Sequence, residues 1–479
     1  MFESHLSIAN VCWSGDTFVR SAEVERATGL EGRFAYVAAN PDGGVTLVRD
    51  KLGLNKLFLA IHASGTVLAA NYLIDLVRRG APFESIYSVP AGHRLALDPA
   101  HHVVAMSRFA DLDQQPVVPD TALHEVARDI REDLEHWFAR LATAFGQKKI
   151  CVCLSGGLDS SVIAALAREY FSDVTAYTYS FTGVNGSLSE DAIHAERLAS
   201  HLRIPFRLIP TSAEEVIAAI DDALVYGQDW RDFNVHCAIV NEIVARAIRR
   251  DSDTGGSAAM PLVLTGDLAN ELLADYAPEQ FDGREYYRLP AIGPADLRLF
   301  LIRGLDAGDR EVGIFARHGL DVVQPYGLVV DQYLRLPGSL IAGDRFKQVL
   351  ARAMAGDLLP DYIFERRKVR AQIGSSTAPI GILPVLAQHG YDAAWLQHAF
   401  CRLFHIDQPS LLSRFIRAGR YRSINRTEDP QWLPRSLKLP PPSKRSSDGS
   451  SESTSRTRVS PATRTSSKPV SSIPSAPLS

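Results

Sequence analysis

Cysteine is scarce in this chain of 479 residues, which contains only five. Cys151 and Cys153 form the one close pair, and no second pair follows at a zinc-finger spacing. A structural zinc site is therefore not expected. Sparse and scattered cysteine also fits a reducing compartment, so the sequence predicts a cytoplasmic protein.

Long apolar runs and an excess of one charge are also missing. No stretch approaches the roughly 20 apolar residues that cross a bilayer, and the segment Met1–Val11 lacks the basic start of a signal peptide. The formal net charge is only -4, which gives no electrostatic reason to expect a nucleic acid or an anionic membrane as partner. With 46% hydrophobic residues, a chain of this length has material for two domains and appendages.

Residues 1–118 are predicted to form a β-rich domain. The apolar runs Phe34–Ala39 and Val45–Val48 flank the turn-forming cluster Asn40–Gly44, which is typical of a hairpin. A second pair of short apolar runs follows over residues 57–70. Helical periodicity is sparse in this region.

Residues 119–430 show a different pattern, in which helical and extended segments alternate. The predicted helices are Leu123–Phe145, Val162–Tyr170, Asp191–Leu202 and Ala238–Arg249, and the predicted strands are Lys149–Leu154, Val174–Phe181, Phe206–Ile209 and Val263–Thr265. This alternation predicts a doubly wound α/β sheet. Residues 431–479 are rich in Ser and Pro and lack an apolar pattern. They are predicted to be a disordered tail, and they are a candidate segment for binding a partner.

A glycine-rich loop connects the first predicted strand of this region to its helix. Gly156 and Gly157 allow the backbone to approach a phosphate, and the start of the following helix favours an anion. A carboxylate at Asp159 would repel phosphate unless Mg²⁺ bridges the two, so we expect ATP and Mg²⁺ as cofactors. The loop is not a Walker A motif, because no Gly-Lys-Ser/Thr ends it. The predicted nucleotide-binding residues of this loop are Leu154, Ser155, Gly156, Gly157, Asp159, Ser160 and Ser161.

These residues resemble the signature of the ATP-pyrophosphatase superfamily, and other segments resemble the asparagine synthetase family within it. The further segments with this resemblance are Tyr179–Phe181, Thr265–Leu272, Pro325–Tyr326, Lys347–Pro360 and Arg366–Lys368, and in the amino-terminal region Gly32–Val37, Val48–Phe58 and Val89–His93. The resemblance implies an α+β protein of two domains. Residues 1–118 would be a degenerate Ntn-hydrolase-like glutaminase domain, and residues 119–430 an ATP-pyrophosphatase domain of the adenine nucleotide α-hydrolase-like type.

The resemblance also implies roles for individual residues. Ser180 and Gly266 would join the nucleotide site, while Asp159, Asn270 and Glu271 would bind Mg²⁺. Lys368 would stabilise charge that develops on the phosphate and the tetrahedral intermediate, with Arg366 as a second catalytic residue. Asp267 would act as the base for an attacking amine or as a metal ligand.

The sequence departs from the family pattern at several of these positions. Phe2 stands where a glutaminase domain of this type has its nucleophilic cysteine, and the glutamine-binding stretches are missing. Leu268 replaces the second glycine of the family's loop, and Asn270 replaces an aspartate that binds Mg²⁺. The amino-terminal domain is therefore expected to be non-catalytic, as in the β-lactam synthetases, carbapenam synthetases and lasso-peptide cyclases that the chain resembles.

The expected function is that of an ATP-dependent, AMP-forming amide-bond synthetase of secondary metabolism, such as antibiotic biosynthesis. Its partners would be a small-molecule or peptide carboxylate and an amine. Ammonia-dependent asparagine synthesis and a nucleotide-binding pseudoenzyme are the alternatives, and a homodimer is left open. His236 and Cys237 begin a helix that faces the same sheet end, and a role in the core or in capping is favoured for them over substrate contact.

Overall fold

The computed structural model describes residues 1–15, 17–19, 30–62, 64–110, 112, 116–181, 188–254, 260–273, 279–281, 284–286, 308–341, 345–366, 381–417 and 420–424. Lys368 and the predicted tail over 431–479 lie outside the described residues. Met1–Pro440 form one compact unit.

The strands are short and fall mainly in the first 110 residues and in the region after residue 149. In chain order they are β1 (Phe2–His5), β2 (Val11–Ser14), β3 (Thr17–Val19), β4 (Leu30–Arg33), β5 (Ala35–Ala39), β6 (Val45–Arg49), β7 (Phe58–Ile61), β8 (Val67–Ala70), β9 (Ile86–Ser88), β10 (His93–Leu97), β11 (Val103–Arg108), β12 (Ile150–Cys153), β13 (Val174–Phe181), β14 (Phe206–Thr211), β15 (Leu262–Leu264), β16 (Glu279–Phe281), β17 (Arg284–Tyr286), β18 (Asp321–Val323), β19 (Ile416–Arg417) and β20 (Arg420–Tyr421).

The helices follow mostly after residue 120. They are α1 (Leu73–Arg78), α2 (Leu123–Phe145), α3 (Leu158–Tyr170), α4 (Glu190–Leu202), α5 (Ala213–Ala218), α6 (Ile220–Gly227), α7 (Asp232–Thr254), α8 (Ala269–Leu273), α9 (Val312–Arg317), α10 (Val330–Tyr333), α11 (Gly338–Ile341), α12 (Phe346–Ala355), α13 (Asp361–Glu365), α14 (Ile382–Gln388), α15 (Ala393–Leu403) and α16 (Ser410–Phe415). Within the described ranges, no helix has both the length and the apolar character that crossing a membrane requires.

A five-stranded parallel sheet forms the centre of the carboxyl-terminal part, in the order β14-β13-β12-β15-β18. Every residue of β13 is buried, because a parallel sheet is covered on both faces, and the strand carries no charged residue. The predicted parallel α/β sheet is confirmed, and the observed limits of α2 and β13 coincide with those predicted.

The strand order of this sheet creates a crevice. Going along the chain, β13 and β14 are added on one side of β12, and β15 and β18 on the other. The direction of winding therefore reverses between β12 and β15. In open α/β sheets the loops at the carboxyl ends of two such strands separate, and ligands bind between them.

The amino-terminal part consists of three small sheets, with orders β1-β8-β7-β9, β11-β10-β6-β5 and β3-β2-β4. The two predicted hairpins are confirmed as the antiparallel pairs β5/β6 and β7/β8. A buried apolar cluster lies between the two four-stranded sheets and includes Leu47, Leu59, Tyr87, Leu95 and Ile424. The Ntn-hydrolase-like assignment of this part stays a prediction.

Buried hydrogen bonds join the amino-terminal sheets to the α/β part. The hydroxyl of Tyr72 donates to the carbonyl of Gly313 at 2.7 Å, and the side chain of Gln228 accepts from the N–H of Leu73 at 2.8 Å. The guanidinium of Arg33 donates to the carbonyl of Val322, in the edge strand β18, at 3.0 Å. These groups satisfy one another only when both parts are in place.

The last described residues return to the amino-terminal sheets. Ser423 forms a parallel bridge with Ser88, the last residue of the edge strand β9. The N–H of Ile424 donates to the carbonyl of Ser88 at 3.2 Å. The guanidinium of Arg422 donates to the carbonyl of Ile86 at 2.7 Å and lies 4.4 Å from the ring centre of Tyr87. This segment thus pairs with the end of the open edge of one amino-terminal sheet.

Tyr72→Phe should lower the free energy of unfolding by about 1–2 kcal/mol, because it leaves the buried carbonyl of Gly313 without its donor. Urea unfolding measures this loss. Tyr391→Phe, at a half-buried tyrosine, is the matched control and should change stability by less than half as much. Equal stability of the Tyr72 variant and the parent would show that this bond does not hold the two parts together.

Candidate active site

The loop between β12 and α3 turns sharply at Gly156, which has a φ of +66°. A side chain here would collide with α4, because a Cβ would lie 2.6 Å from the backbone nitrogen of Ala195 and from Cβ of His194. α3 begins directly after Gly157, so its unpaired N–H groups and its dipole face this turn. The turn therefore has the backbone geometry to hold a phosphate.

The three serines of the loop are bonded to one another and to the loop backbone. Oγ of Ser155 lies 3.1 Å from Oγ of Ser160 and accepts from the N–H of Gly157 at 3.3 Å. The hydroxyls of Ser160 and Ser161 donate to the carbonyl of Gly157 at 3.2 Å and 2.7 Å. These bonds give the loop its shape within the protein itself.

Leu154 and Ser180 support the loop rather than line it. The carbonyl of Leu154 accepts from the hydroxyl of Thr178 at 2.6 Å, which fixes the end of β12 against β13. The hydroxyl of Ser180 donates to Oγ of Ser189 at 3.0 Å and accepts from its N–H at 3.2 Å. Because Ser189 caps α4, Ser180 sets the position of the helix that packs against Gly156.

Gly266 brings the loop after β15 into direct contact with the loop after β12. A Cβ on Gly266 would lie 2.5 Å from the backbone nitrogen of Ser160 and 2.8 Å from the carbonyl carbon of Asp159. Only a residue without a side chain allows two backbones to approach this closely. The two loops of the crevice therefore form one site.

Leu268 keeps the backbone shape that a glycine would favour. Its φ is +77°, its side chain is buried, and its carbonyl accepts the N–H of Leu272 at 2.9 Å as α8 begins. The loop thus follows a left-handed path although leucine has replaced the family's glycine. A non-glycine residue in this region costs about 1–3 kcal/mol, which the surrounding structure must supply.

Lys347, at the start of α12, binds both loops at once. Its Nζ donates to Oδ2 of Asp159 at 2.7 Å and to Oδ1 of Asn270 at 2.6 Å. The Lys347 and Asp159 side chains are only 9% and 12% exposed, so water screens their attraction weakly. With a neutral amide at Asn270, the three side chains together carry no net charge.

Lys347 was not among the site residues that the sequence suggested, although a signal for it exists. It lies three, four and seven residues before Leu350, Ala351 and Met354, which are all buried on α12. This spacing places the lysine on the apolar face of the helix. A lysine in such a position is almost always paired, so it could have been identified as a site residue.

The same two oxygen atoms define where a magnesium ion would fit. Oδ2 of Asp159 and Oδ1 of Asn270 converge on one point, which is held by the ammonium of Lys347. Mg²⁺ is commonly bound by one or two protein oxygens together with substrate phosphates, so these two oxygens suit the ion that ATP would bring, in place of the ammonium. In the described part of the chain, no group of three or more His, Cys, Asp or Glu side chains is arranged to hold a metal.

Glu271 lies away from this point, next to Arg310. Its carboxylate accepts from the Arg310 guanidinium at 2.7 Å, so its role as a metal ligand stays a prediction. Burial acts to lower the pKa of Arg310, but the charges of Glu271, Cys237 and Asp267 outweigh it and raise that pKa well above its ordinary value. Arg310 is therefore a fixed positive charge beside Asp267.

Arg366 anchors the phosphate turn from the opposite side. Its guanidinium donates to the carbonyl of Ser155 at 3.1 Å and pairs with Asp191 and Glu190 of α4. The side chain is 6% exposed, so the structure places it as a clamp on the loop. Lys368, two residues further along, lies outside the described residues, and its catalytic role stays a prediction.

Comparison with known proteins identifies the part of the chain that contains these loops. Residues 129–308, less than half of the chain, match the sequence model of the family described as asparagine synthase. The chain contains an asparagine synthase domain. This supports the use of ATP and an ATP-dependent ligase or amidation activity in general, and it does not identify the substrate, the nitrogen donor or a metal.

Other comparisons add little to this assignment. No curated protein sequence matches the chain. A solved NMN synthetase from Francisella tularensis is similar over 58% of this chain and 92% of its own, at 13% identity and a TM-score of 0.29. An NH3-dependent NAD synthetase from Campylobacter jejuni is similar over 59% and 95%, at 14% identity and a TM-score of 0.27. TM-scores this low support no statement about the asparagine synthase domain.

His236 belongs to the core of the asparagine synthase domain, as the sequence favoured. It lies in α7, its side chain is 3% exposed, and burial lowers its pKa to about 3. The imidazole is therefore neutral at physiological pH. Its neighbour Cys237 is half-buried, and burial raises the pKa of its thiol.

Gly266→Ala should push the two loops apart, because the new methyl group would lie under 3 Å from backbone atoms of Asp159 and Ser160. We expect a loss of about 1–3 kcal/mol in stability and at least a tenfold loss in ATP affinity, measured by calorimetric titration. The control is Gly390→Ala, where a φ of +78° imposes a backbone cost but no atom lies within 4 Å. Unchanged ATP affinity in the Gly266 variant would contradict the assignment of this contact to the site.

His236→Gln should weaken the acid sensitivity of the fold. The pKa of His236 falls from 6.5 to about 3 on folding, so its contribution to stability is present above pH 6.5 and is lost as the pH falls. Between pH 6.5 and pH 5 this one group should remove roughly 1–2 kcal/mol from the free energy of unfolding. Urea unfolding at both pH values tests this, with exposed His124→Gln as control. The same pH dependence in parent and His236 variant would contradict a buried neutral imidazole.

Proposed function

We propose that this chain is an ATP-dependent, AMP-forming amide-bond synthetase. A substrate carboxylate attacks the α-phosphate of ATP and releases pyrophosphate, and an amine then attacks the acyl adenylate and releases AMP. The loop after β12 is called the first loop, and the loop after β15 the second loop. The observation that carries this proposal is the contact of the Lys347 ammonium with Asp159, which follows the first loop at the start of α3, and with Asn270, which follows the second loop at the start of α8.

The first loop and Lys347 suit the release of pyrophosphate. The start of α3 and the turn at Gly156 offer backbone N–H groups to the β- and γ-phosphates, and Lys347 is a nearby buried cation. A cation fixed where charge develops on a leaving group lowers the barrier of the reaction. Asp159 and Asn270 would hold Mg²⁺ in place of the Lys347 ammonium, which would then turn toward the phosphates, so that both cations would supply positive charge to them.

The second loop suits the capture of the adenylate by an amine. Asp267 follows Gly266, the residue that touches the first loop, and we assign its carboxylate to accept the proton of the attacking amine. Arg310 and Glu271 flank it as a fixed ion pair. Lys368 lies two residues after Arg366, whose guanidinium donates to the carbonyl of Ser155. We assign Lys368 the role of stabilising the charge on the tetrahedral intermediate.

The amine is proposed to come from a source other than glutamine. Hydrolysis of glutamine in a domain of this type needs an accessible thiolate. The only cysteine in the first 118 residues is Cys12. It is fully buried in β2, and burial raises the pKa of its thiol to about 12. The amine would belong to the activated substrate itself, giving a β-lactam or macrolactam, or to a second substrate of secondary metabolism.

A pyrophosphate-release assay with ATP, Mg²⁺ and a panel of carboxylic acids and amines tests the proposal. We expect turnover only with a matching acid, with AMP and pyrophosphate as products. Asp159→Asn should reduce turnover at least a hundredfold, because it removes the charge that Lys347 and Mg²⁺ share. Lys347→Met should reduce kcat/KM for ATP by about 10² to 10³, the size of effect seen when a charge-stabilising donor is lost.

Asp120→Asn is the matched control, since its carboxylate is exposed and accepts a hydrogen bond from the surface hydroxyl of Ser339; it should leave turnover unchanged. Formation of ADP and phosphate would overturn the proposal. Formation of asparagine from aspartate and ammonium would replace it by the simpler asparagine synthetase activity. Binding of ATP with no turnover against the whole panel would favour a pseudoenzyme.

A further inference from the structure

We infer that the amino-terminal part braces the catalytic loop of the asparagine synthase domain. The turn that contains Leu52 and Leu54 holds Leu268 in its left-handed conformation, and Leu268 in turn positions Asp267 and Asn270. The amino-terminal part thereby acts on the second loop as a positioning element. The role of this contact in catalysis rests on the proposed function, whereas the packing contact itself does not.

Leu268 is unusual among the residues of positive φ. In the described ranges six non-glycine residues have a positive φ, and Leu268 is the only aliphatic one. The others are His101, Arg203, Gln228, Arg345 and His405. Large aliphatic side chains avoid this region because their Cβ approaches backbone atoms, so the conformation must be imposed by contacts outside the residue.

The contacts that we assign this effect lie around Gly327, in the turn after β18. A Cβ on Gly327 would lie 2.8 Å from Cδ1 of Leu268, 3.4 Å from Cδ1 of Leu52 and 3.5 Å from Cδ1 of Leu54. The three methyl groups therefore surround one face of Gly327, and all three leucines are buried in the same core. If Leu268 took a negative φ, its side chain would leave this apolar contact.

The turn that supplies Leu52 and Leu54 is rigid. The buried carboxylate of Asp50 accepts the N–H groups of Leu52 at 3.1 Å and of Leu54 at 2.9 Å. The guanidinium of Arg49 donates to the carbonyl of Gly53 at 2.8 Å, and Gly53 takes the φ of +67° that the turn needs. A turn whose backbone is held by two buried charged groups can resist displacement.

The same turn is also fixed to the segment that contains Gly327. Lys51 forms an ion pair with Asp331, which lies on α10, four residues after Gly327. The turn therefore meets the segment 327–331 at two points, through an apolar contact at Gly327 and a charge pair at Asp331.

The brace acts on two proposed site residues through the backbone. Asp267 directly precedes Leu268, and the carbonyl of Leu268 accepts the N–H of Leu272 as α8 begins. Asn270 lies within that helix and bonds to Lys347. A change in the φ of Leu268 would rotate Asp267 relative to α8 and would break the start of the helix.

The inference is tested by comparing Leu268→Ala with Leu268→Gly in the full chain. Glycine takes a positive φ freely, whereas alanine pays the backbone cost and lacks the methyl groups that make the contact. Hydrogen exchange of a peptide that covers residues 264–273 should be about tenfold faster in L268A than in the parent. In L268G it should rise less than threefold. A residue that only fills the core would show the opposite order, because alanine leaves the smaller cavity.

A second pair of variants tests the partner of Leu268. The double variant L52A/L54A should also accelerate exchange in residues 264–273 about tenfold, and adding L268G should remove most of that effect. The control is L95A/L97A, a double change in the buried cluster between the amino-terminal sheets. If L52A/L54A does not fold, the single variants L52A and L54A replace it, and the comparison of L268A with L268G stands without them.

The outcomes separate the brace from the proposed function. L268A exchanging no faster than L268G, or L95A/L97A matching L52A/L54A, would overturn the brace. If exchange follows the expected order, titration with ATP and Mg²⁺ should show affinity falling in the same order. The expected exchange with unchanged ATP affinity in every variant would leave the contact established and would contradict the role of this loop in the proposed site.

Discussion

The site depends on one buried ammonium group. Lys347 holds Asp159 and Asn270 within 2.7 Å of a single atom, and these residues come from two loops that follow different strands. Removing either member of a buried charge pair leaves the other without compensation, which typically costs 3–5 kcal/mol. The close backbone contact at Gly266 and the left-handed turn at Leu268 are both needed to bring Asn270 within reach of this lysine.

The balance of charge at this point distinguishes the chain from the family it resembles. An aspartate at position 270 would give two carboxylates around one lysine and a net charge of -1. With Asn270 the three side chains are neutral, so an incoming polyphosphate meets no net repulsion from them. The cost is a weaker ligand for Mg²⁺, because an amide oxygen carries no formal charge.

Periodicity and turn chemistry predicted much of the fold. The hairpins near Asn40 and the helix Leu123–Phe145 follow from local patterns, and glycine-rich spacing identified the phosphate turn at Gly156. Strand order could not be read in this way, because it depends on which buried faces meet. The positive φ of Leu268 could not be predicted either, since leucine prefers a negative φ and we attribute the opposite sign to contact with a turn distant in the sequence. Ser180 and Arg366 were placed at the site by resemblance; both bond to the elements that shape the loop, and their roles toward a ligand stay predictions.

The segment Arg422–Ile424 has a consequence for the independence of the two parts. It covers the exposed edge of β9 and inserts Ile424 into the cluster between the amino-terminal sheets. Dividing the chain near residue 118 would therefore leave the edge of β9 unpaired on one fragment and expose Ile424 to solvent on the other. Unpaired edges recruit strands from other molecules, so the fragments would be prone to aggregate. Selection would then retain the amino-terminal part for solubility alone, even after any catalytic role of its own had been lost.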